Sequence, residues 1–501
     1  MDNNSLPPTT DNTANARRLT RAVLAAVLWT GAACSMAPRY ERPAVETPAA
    51  YKEVHAPSDA TNIWRLAAPG DALSRGRWWE IYTNAQLAAL EEQVVISNQN
   101  VAAAFANFLS ARAIVKESRA QLYPTLAASP SASRTRNPLV AGSPSTVNDF
   151  ALPLDASWQV DLWGRVGGAV KANSLEAVAT KADLENVRLA AQSQLATAYF
   201  QLLAQDSLVQ LYAETVQAYR KSLDLTKARY ETGIASDEDV AQAETQLESA
   251  EAQATNLEIL RAQLEHSIGV LIGRAPGAFS IPPGLLERRP LVVPSGIPSG
   301  LLERRPDIAA AERRVAEANQ MIGVAKSAYY PAVTLSASGG FESLSAAKLL
   351  NWSSRFWSLG AGLGETIFDA GLRKATVEQY RAQYDGTVAK YRQTVLIAFQ
   401  QVEDALATLR ILAREVDQQQ TVVKSSGRYL ALATRRYELG IDSYLNVITA
   451  QTTYLVNRQA LVALHTQEMT ASVQLVQAIG GGWDTSRLPA PGKVTANSAA
   501  R

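Results

Sequence analysis

The chain is written twice. Arg229-Tyr230-Glu231-Thr232-Gly233-Ile234 returns as Arg436-Tyr437-Glu438-Leu439-Gly440-Ile441, an offset of 207. The same offset carries Tyr123-Pro124 onto Tyr330-Pro331, Gly164 onto Gly371 and Ile272-Gly273 onto Ile479-Gly480. A unit of roughly 170–190 residues is far too long for a solenoid repeat of about 20–50. The match slips once: Ala198-Tyr199-Phe200-Gln201 aligns best with Ala398-Phe399-Gln400-Gln401, an offset of 200, before 207 returns at Tyr437. The seven-residue slip is one heptad, the step that keeps a helix's buried stripe in phase with a neighbour. Both copies of this region are therefore expected to be helix packed on helix.

At 501 residues, length alone suggests about three domains; the duplication argues for two interlocked halves. Net charge is +1 and Lys/Arg never run beyond pairs, which argues against a nucleic-acid partner. Residues 1–33 read as an export signal. Arg17, Arg18 and Arg21 precede a short apolar stretch, Ala22 to Gly31, and Gly31-Ala32-Ala33 supply small residues for cleavage. The apolar run falls well short of the ~20 residues that span a bilayer. Cys34, the lone cysteine, follows directly and fits lipid attachment. The alternative is an incidental cysteine, and Gly31 departs from the Leu usual three places before a lipidated one. Ser35 after it suits delivery to the outer membrane.

No proline occurs between Pro153 and Pro276, or between Pro331 and Pro489. Proline inside a helix costs ~3 kcal/mol, so both gaps permit very long helices. Gly164 to Gly233 and Gly371 to Gly440 are each 69 residues, ~100 Å at 1.5 Å per residue. After each glycine a return run of about 40 residues, ~60 Å, leads back, so each first helix outruns its partner. Gly233 and Gly440 then mark the tips of two helical hairpins, closed by a left-handed glycine, with Ser236 or Ser443 as N-cap.

Between Pro124 and Gly164 the period changes. Phe150, Leu152, Leu154, Ala156, Trp158, Val160 and Leu162 alternate with Asp155, Ser157, Gln159 and Asp161, the signature of a strand with one greasy and one wet face. Trp357, Leu359, Ala361 and Leu363 repeat it, and Glu365 marks where that face meets water. Further strands start at Pro124 (Leu126, Ala128) and at Pro331 (Val333 to Phe341). Two hairpins give four strands. Closed membrane barrels need about eight and lipid tolerates no open edge, so a membrane-spanning sheet must be completed by other copies. A small soluble sheet between helical regions is the alternative. Gly360, Gly362 and Gly364 miss the dinucleotide-loop spacing and suit a barrel wall.

Leu301-Leu302-Glu303-Arg304-Arg305-Pro306-Asp307-Ile308, with Ala311-Glu312-Arg313-Arg314, Ile322-Gly323-Val324-Ala325 and Tyr330-Pro331, strongly resembles the TolC-like outer-membrane efflux channels in their lipoprotein, NodT-type branch. Trp78-Trp79, Leu87, Leu90, Tyr123-Pro124, Asp161-Leu162-Trp163-Gly164-Arg165, and Cys34 with Pro38, Tyr40 and Pro43 also match, covering about Cys34 to Gly481. Gly284-Leu285-Leu286-Glu287-Arg288-Arg289-Pro290 copies Gly300 to Pro306 early and reads as a local duplication.

The resemblance implies an α+β membrane protein: a long helical barrel forming a periplasmic tunnel, and four strands per chain completing a 12-stranded transmembrane β-barrel in a homotrimer. The implied organisation is signal peptide 1–33, lipid-anchored extended segment 34–80, repeat 1 at 81–275, Pro-rich linker 276–306, repeat 2 at 307–481, and tail 482–501. It implies passive conduction in the outer membrane, with a periplasmic adaptor (membrane fusion protein) and an inner-membrane efflux pump as partners, and outer-membrane lipid around the barrel. The runner-up is a structural surface lipoprotein or coiled-coil adhesin. His55, His266 and His465 are scattered and no catalytic, metal or cofactor motif surrounds them. Gly233, Gly440, Tyr230 and Tyr437 are the expected adaptor-docking tip residues. In the resembled channels the position of Leu445 forms a hydrophobic ring and an aspartate one turn on forms a charged one. Here Thr449 replaces that aspartate, so Asp442, or Asp237 and Asp239, is left to supply charge. Otherwise Leu445 merely packs within a helix pair.

Overall fold

The computed structural model describes residues 36–48, 50–53, 77–140, 143–287, 304–482, 488–490 and 493–494. The signal segment, Cys34, His55 and linker residues 288–303 lie outside the described residues. The elements are α1 (Ala85–Ser97), α2 (Gln99–Ala120), β1 (Thr125–Ala128), β2 (Ser131–Val140), β3 (Ser143–Val160), α3 (Arg165–Glu231), α4 (Asp237–Leu271), α5 (Pro306–Ser327), β4 (Ala332–Ser343), β5 (Arg355–Gly364), α6 (Leu372–Glu438) and α7 (Tyr444–Ala478). Both bounds of α2, α3 and α4 recur 207 residues later as those of α5, α6 and α7. Pro306, assigned by sequence to the linker, is the first residue of α5.

α3 and α6 are each 67 residues without a break, and α4 and α7 each 35, against the 40 expected. The heptad slip is thus a shift of residue types along uninterrupted helices, not an extra turn in one copy. Tyr199, Phe200, Ala398 and Phe399 all enter one apolar core. That core is held by α3, packed on α2, α4, α5 and α7, and by α6, packed on α5 and α7. Among the described residues no helix is long and apolar enough to cross a membrane.

The quoted motifs turn out to be joints. Asp161 accepts the backbone N–H groups of Val166 (3.1 Å) and Gly167 (2.6 Å), capping α3. Trp163 stacks on Tyr330 at 4.8 Å and donates to the Pro331 carbonyl, locking the two helix–strand junctions together. Arg305 grips Asp307, Gln401 and the Ala478 carbonyl, stapling the start of α5 to α6 and to the end of α7.

All five strand segments are antiparallel, β3 pairing on one side with β1 and β2 in succession and on the other with β4, which pairs β5. The expected four strands become five segments because the first breaks at Ser129-Pro130; the sheet is still four strands wide. Register settles the faces. Val160–Val333–Leu363, Trp158–Leu335–Ala361 and Ala156–Ala337–Leu359 form rows on one face. The other face carries Ser157–Ser336–Gly360, Gln159–Thr334–Gly362 and Asp155–Ser338–Ser358, and Ser338 donates to Asp155 across the strands at 2.6 Å. β5 ends at Gly364, and Glu365 just beyond is paired with Arg373 at 3.1 Å. The sheet is open along β5 and along β1–β2.

Candidate functional site

The site is the end of the two hairpins farthest from the sheet. Each closes identically. The N–H groups of Gly233 and Ile234 bond to the carbonyls of Tyr230 and Arg229, and those of Gly440 and Ile441 to Tyr437 and Arg436. These paired bonds satisfy the last carbonyls of α3 and α6 and need φ > 0 at the glycine; the observed values are +73° and +72°. The entries to the return helices differ. Ser236 and Asp239 form a reciprocal capping box, whereas Ser443 sits at the N-cap of α7 without a side-chain cap bond. Ser443 is therefore only a backbone cap. Its neighbour Asp442 instead binds Arg436 at 2.5 Å, and that bond holds the Asp442 carboxyl below the usual carboxylate range.

The tips are clasped together. The Arg229 guanidinium lies 4.6 Å from the Tyr437 ring centroid and donates to the Tyr437 carbonyl at 2.6 Å. Tyr437 packs on Tyr444 at 5.3 Å, and both join Tyr219, Leu223, Val240 and Val447 in a small core between the hairpins. The Tyr444 hydroxyl reaches Ser222. Of the four tip residues singled out by sequence, Gly233, Gly440 and Tyr230 are exposed. Tyr437 is not: it is 5% exposed against 48% for its equivalent Tyr230, because α3 covers it. Arg229, which makes the clasp, was visible in the repeated Arg-Tyr-Glu but nothing in the sequence marked it as the bridging residue.

Leu445 does not pack in the helix pair. Tyr444 and Val447 take the inner positions, leaving Leu445 57% exposed. Thr449 lies exposed one turn on, its hydroxyl donating to the Leu445 carbonyl. Asp237 sits exposed in the first turn of α4, and Asp239 is half-buried there in the capping box. Each chain thus offers a free leucine beside a threonine, with acids on both flanks.

Away from the tips, residues 36–48 and 50–53 form a strap over α5 and α6. Asn319 donates to the Pro38 carbonyl, Tyr40 to Glu312 and Arg42 to Tyr391, while the backbone of Lys52 and Glu53 bonds Glu403. Ala37 lies so close to Gly323 that a Cβ there would meet it at 2.4 Å.

The outer membrane efflux protein family model matches residues 90–274 and again 297–481, the same 207-residue step. The chain is 31% identical over 457 residues to the probable efflux pump outer membrane protein TtgC of Pseudomonas putida, covering 90% of this chain and 93% of that one. It is 32% identical over 467 residues to outer membrane protein OprJ of Pseudomonas aeruginosa, covering 91% and 94%. Among solved structures, the outer-membrane channel OprN superposes with a TM-score of 0.81 at 26% identity, over 90% of this chain and all of that one. CusC, whose structures concern transmembrane channel formation, superposes with a TM-score of 0.80 at 26% identity over 89% and 100%.

Proposed function

The chain belongs to the outer membrane efflux protein family, and from that premise we propose that it is the outer-membrane channel of a tripartite efflux system. It would act as a homotrimer, passing substrates from an inner-membrane pump and periplasmic adaptor to the exterior by passive conduction. One observation carries the reading: a sheet four strands wide, apolar on one face, polar on the other and open at both edges, stands on helices of 67 residues. Three copies close twelve strands, turn the Ser/Thr/Gly/Asp face to a lumen and satisfy the edges that lipid would leave unpaired. The names of the relatives, efflux pump outer membrane proteins, support the partners.

Leu445, Thr449 and Asp442 would line the narrowing at the periplasmic end, with Leu445 exposed and Asp442 held by Arg436 of its own hairpin. The exposed tips around Gly233 and Gly440 would seat helical hairpins of the adaptor by knobs-into-holes contacts. Lipidation of Cys34 is supported by the strap: Ala37 is pinned on Gly323, one turn from the end of α5 and the start of the sheet. Three residues reach at most ~10 Å, so an anchor there would meet the same membrane.

Single-channel conductance of the purified protein in a planar bilayer tests the reading: discrete trimeric conductance is expected, and a non-conducting, monomeric protein would turn it toward a surface lipoprotein or adhesin. Leu445→Ser should raise that conductance and sensitise cells to large antibiotics.

A further inference from the structure

Conduction makes no use of the charge pattern at the far end of the sheet. Residues directly opposite on paired strands share a face, so register assigns each side chain to the apolar or the polar side. Beyond Leu152–Phe341–Arg355 and Phe150–Ser343, the apolar face continues as Asn148–Arg134 and Thr146–Arg136. Arg134, Arg136 and Arg355 therefore share the face of Leu154, Trp357 and Leu359, and all three are exposed. The two acids at this end, Asp149 opposite Ser133 and Glu342 opposite Ala151, belong to the polar face. Charge is thus sorted by sign: cations toward lipid, acids toward the lumen.

Height decides what the cations meet. Eight residues separate the Val160–Val333–Leu363 row from that of Arg355, ~27 Å along a strand and ~20 Å across the bilayer at a tilt of about 40°. The apolar band of such barrels is about 25 Å tall. Arg355 thus stands at its upper edge, with Arg134 and Arg136 a further ~10–15 Å out. Trp352 marks the boundary: the Arg355 guanidinium lies 3.0 Å from its ring centroid and Nε donates to its carbonyl at 3.0 Å.

We infer that this basic rim binds the phosphorylated headgroups of the outer leaflet's glycolipid. The guanidinium forks of Arg134, Arg136 and Arg355 take phosphate oxygens, and Trp352 holds the boundary between acyl chain and headgroup. The inference rests on the barrel reading. Closure sets β5 of one chain beside β1 and β2 of the next, so every seam brings Arg355 to the Arg134–Arg136 edge. Continuity with the lipid-facing band argues for a lipid rather than a soluble anion.

The test uses full-length channel in nanodiscs, titrated with labelled lipopolysaccharide and with the same lipid enzymatically dephosphorylated. Wild-type protein should bind the phosphorylated lipid at least about tenfold more tightly, an effect sized by three basic residues at an anionic surface and shrinking with salt. Arg134→Gln/Arg136→Gln/Arg355→Gln should abolish the preference, and the triple Lys variant should keep most of it, with trimer mass and conductance unchanged in both. Equal wild-type affinity for the two lipids overturns the proposal whether or not a variant folds, and so does an undiminished preference in the Gln variant. A wild-type protein that forms no conducting trimer overturns the barrel reading instead, which separates the two failures.

Discussion

α3 and α6 have the same length, a left-handed glycine beside each end and equivalent positions in the two repeats, yet different surroundings. Among the described residues α3 packs on α1, α2, α4, α5 and α7, whereas α6 packs on α5, on α7 and under the N-terminal strap. Leu189 on α3 is 8% exposed and its equivalent Leu396 on α6 is 55% exposed. The short helices differ the same way. The strap lies on α5, where Glu312 holds Tyr40, while the equivalent Phe105 on α2 is exposed. Duplication copied the backbone, not the environment. The apolar face that one repeat buries within the chain, the other leaves exposed.

The largest effects should come from breaking that difference in burial. Leu189→Asp puts an unpaired charge into a packed core, a cost on the order of 3–5 kcal/mol, and should abolish folded protein. Leu396→Asp should leave the fold intact and reduce the trimer fraction in native mass spectrometry. A trimer unaffected by Leu396→Asp would place α6's open face elsewhere than the seam.

The strap comes next. Gly323→Val collides with Ala37 and should lose about 1–3 kcal/mol, seen as a lower melting temperature and faster proteolysis before residue 53. Lys116→Val, at the equivalent and exposed position of α2, should change neither.

At the tips the expected effects are smaller in stability but direct in function. Arg229→Ala removes the clasp on Tyr437 and should loosen the hairpin tips, raising conductance. Arg436→Ala loses a pair within its own hairpin, with Asp442, and should raise conductance less. Equal effects would mean that the inter-hairpin clasp is not what holds the tips. Gly440→Val and Gly233→Val each strain a left-handed residue by ~1–2 kcal/mol, but only the former sets its new side chain against Arg229, the Cβ at 3.5 Å. Resistance in complementation assays at matched abundance should fall further for Gly440→Val.

The smallest effect is a titration. Burial, then repulsion by Glu176, lifts the Glu317 carboxyl to about 7. A carboxyl raised in the folded state binds more protons there than in the unfolded chain, so its stabilising share is present at low pH and is lost as pH rises from ~4.5 through 7. Glu317→Gln should therefore raise the melting temperature at pH 8 relative to wild type and not at pH 4.5. Its repeat-1 equivalent, Ser110, offers no such titration.

The sequence by itself determined the duplication, the helix lengths, the tip glycines and the strand faces. Each is a local or periodic property: a left-handed turn needs glycine, a proline-free run permits 67 helical residues, and alternation of period two survives any tertiary context. Packing alone decided that Tyr437 is buried while Tyr230 is exposed, that Leu445 rather than Tyr444 faces outward, that Ser443 caps without its hydroxyl, and that Glu91 lies fully buried with no hydrogen-bond partner for either oxygen among the described residues. None of these is encoded in residue type or spacing, since the two repeats present the same Arg-Tyr-Glu motif to opposite environments. The difference arises because the second hairpin folds against the first, which buries Tyr437 and leaves residues such as Leu396 on the far side exposed.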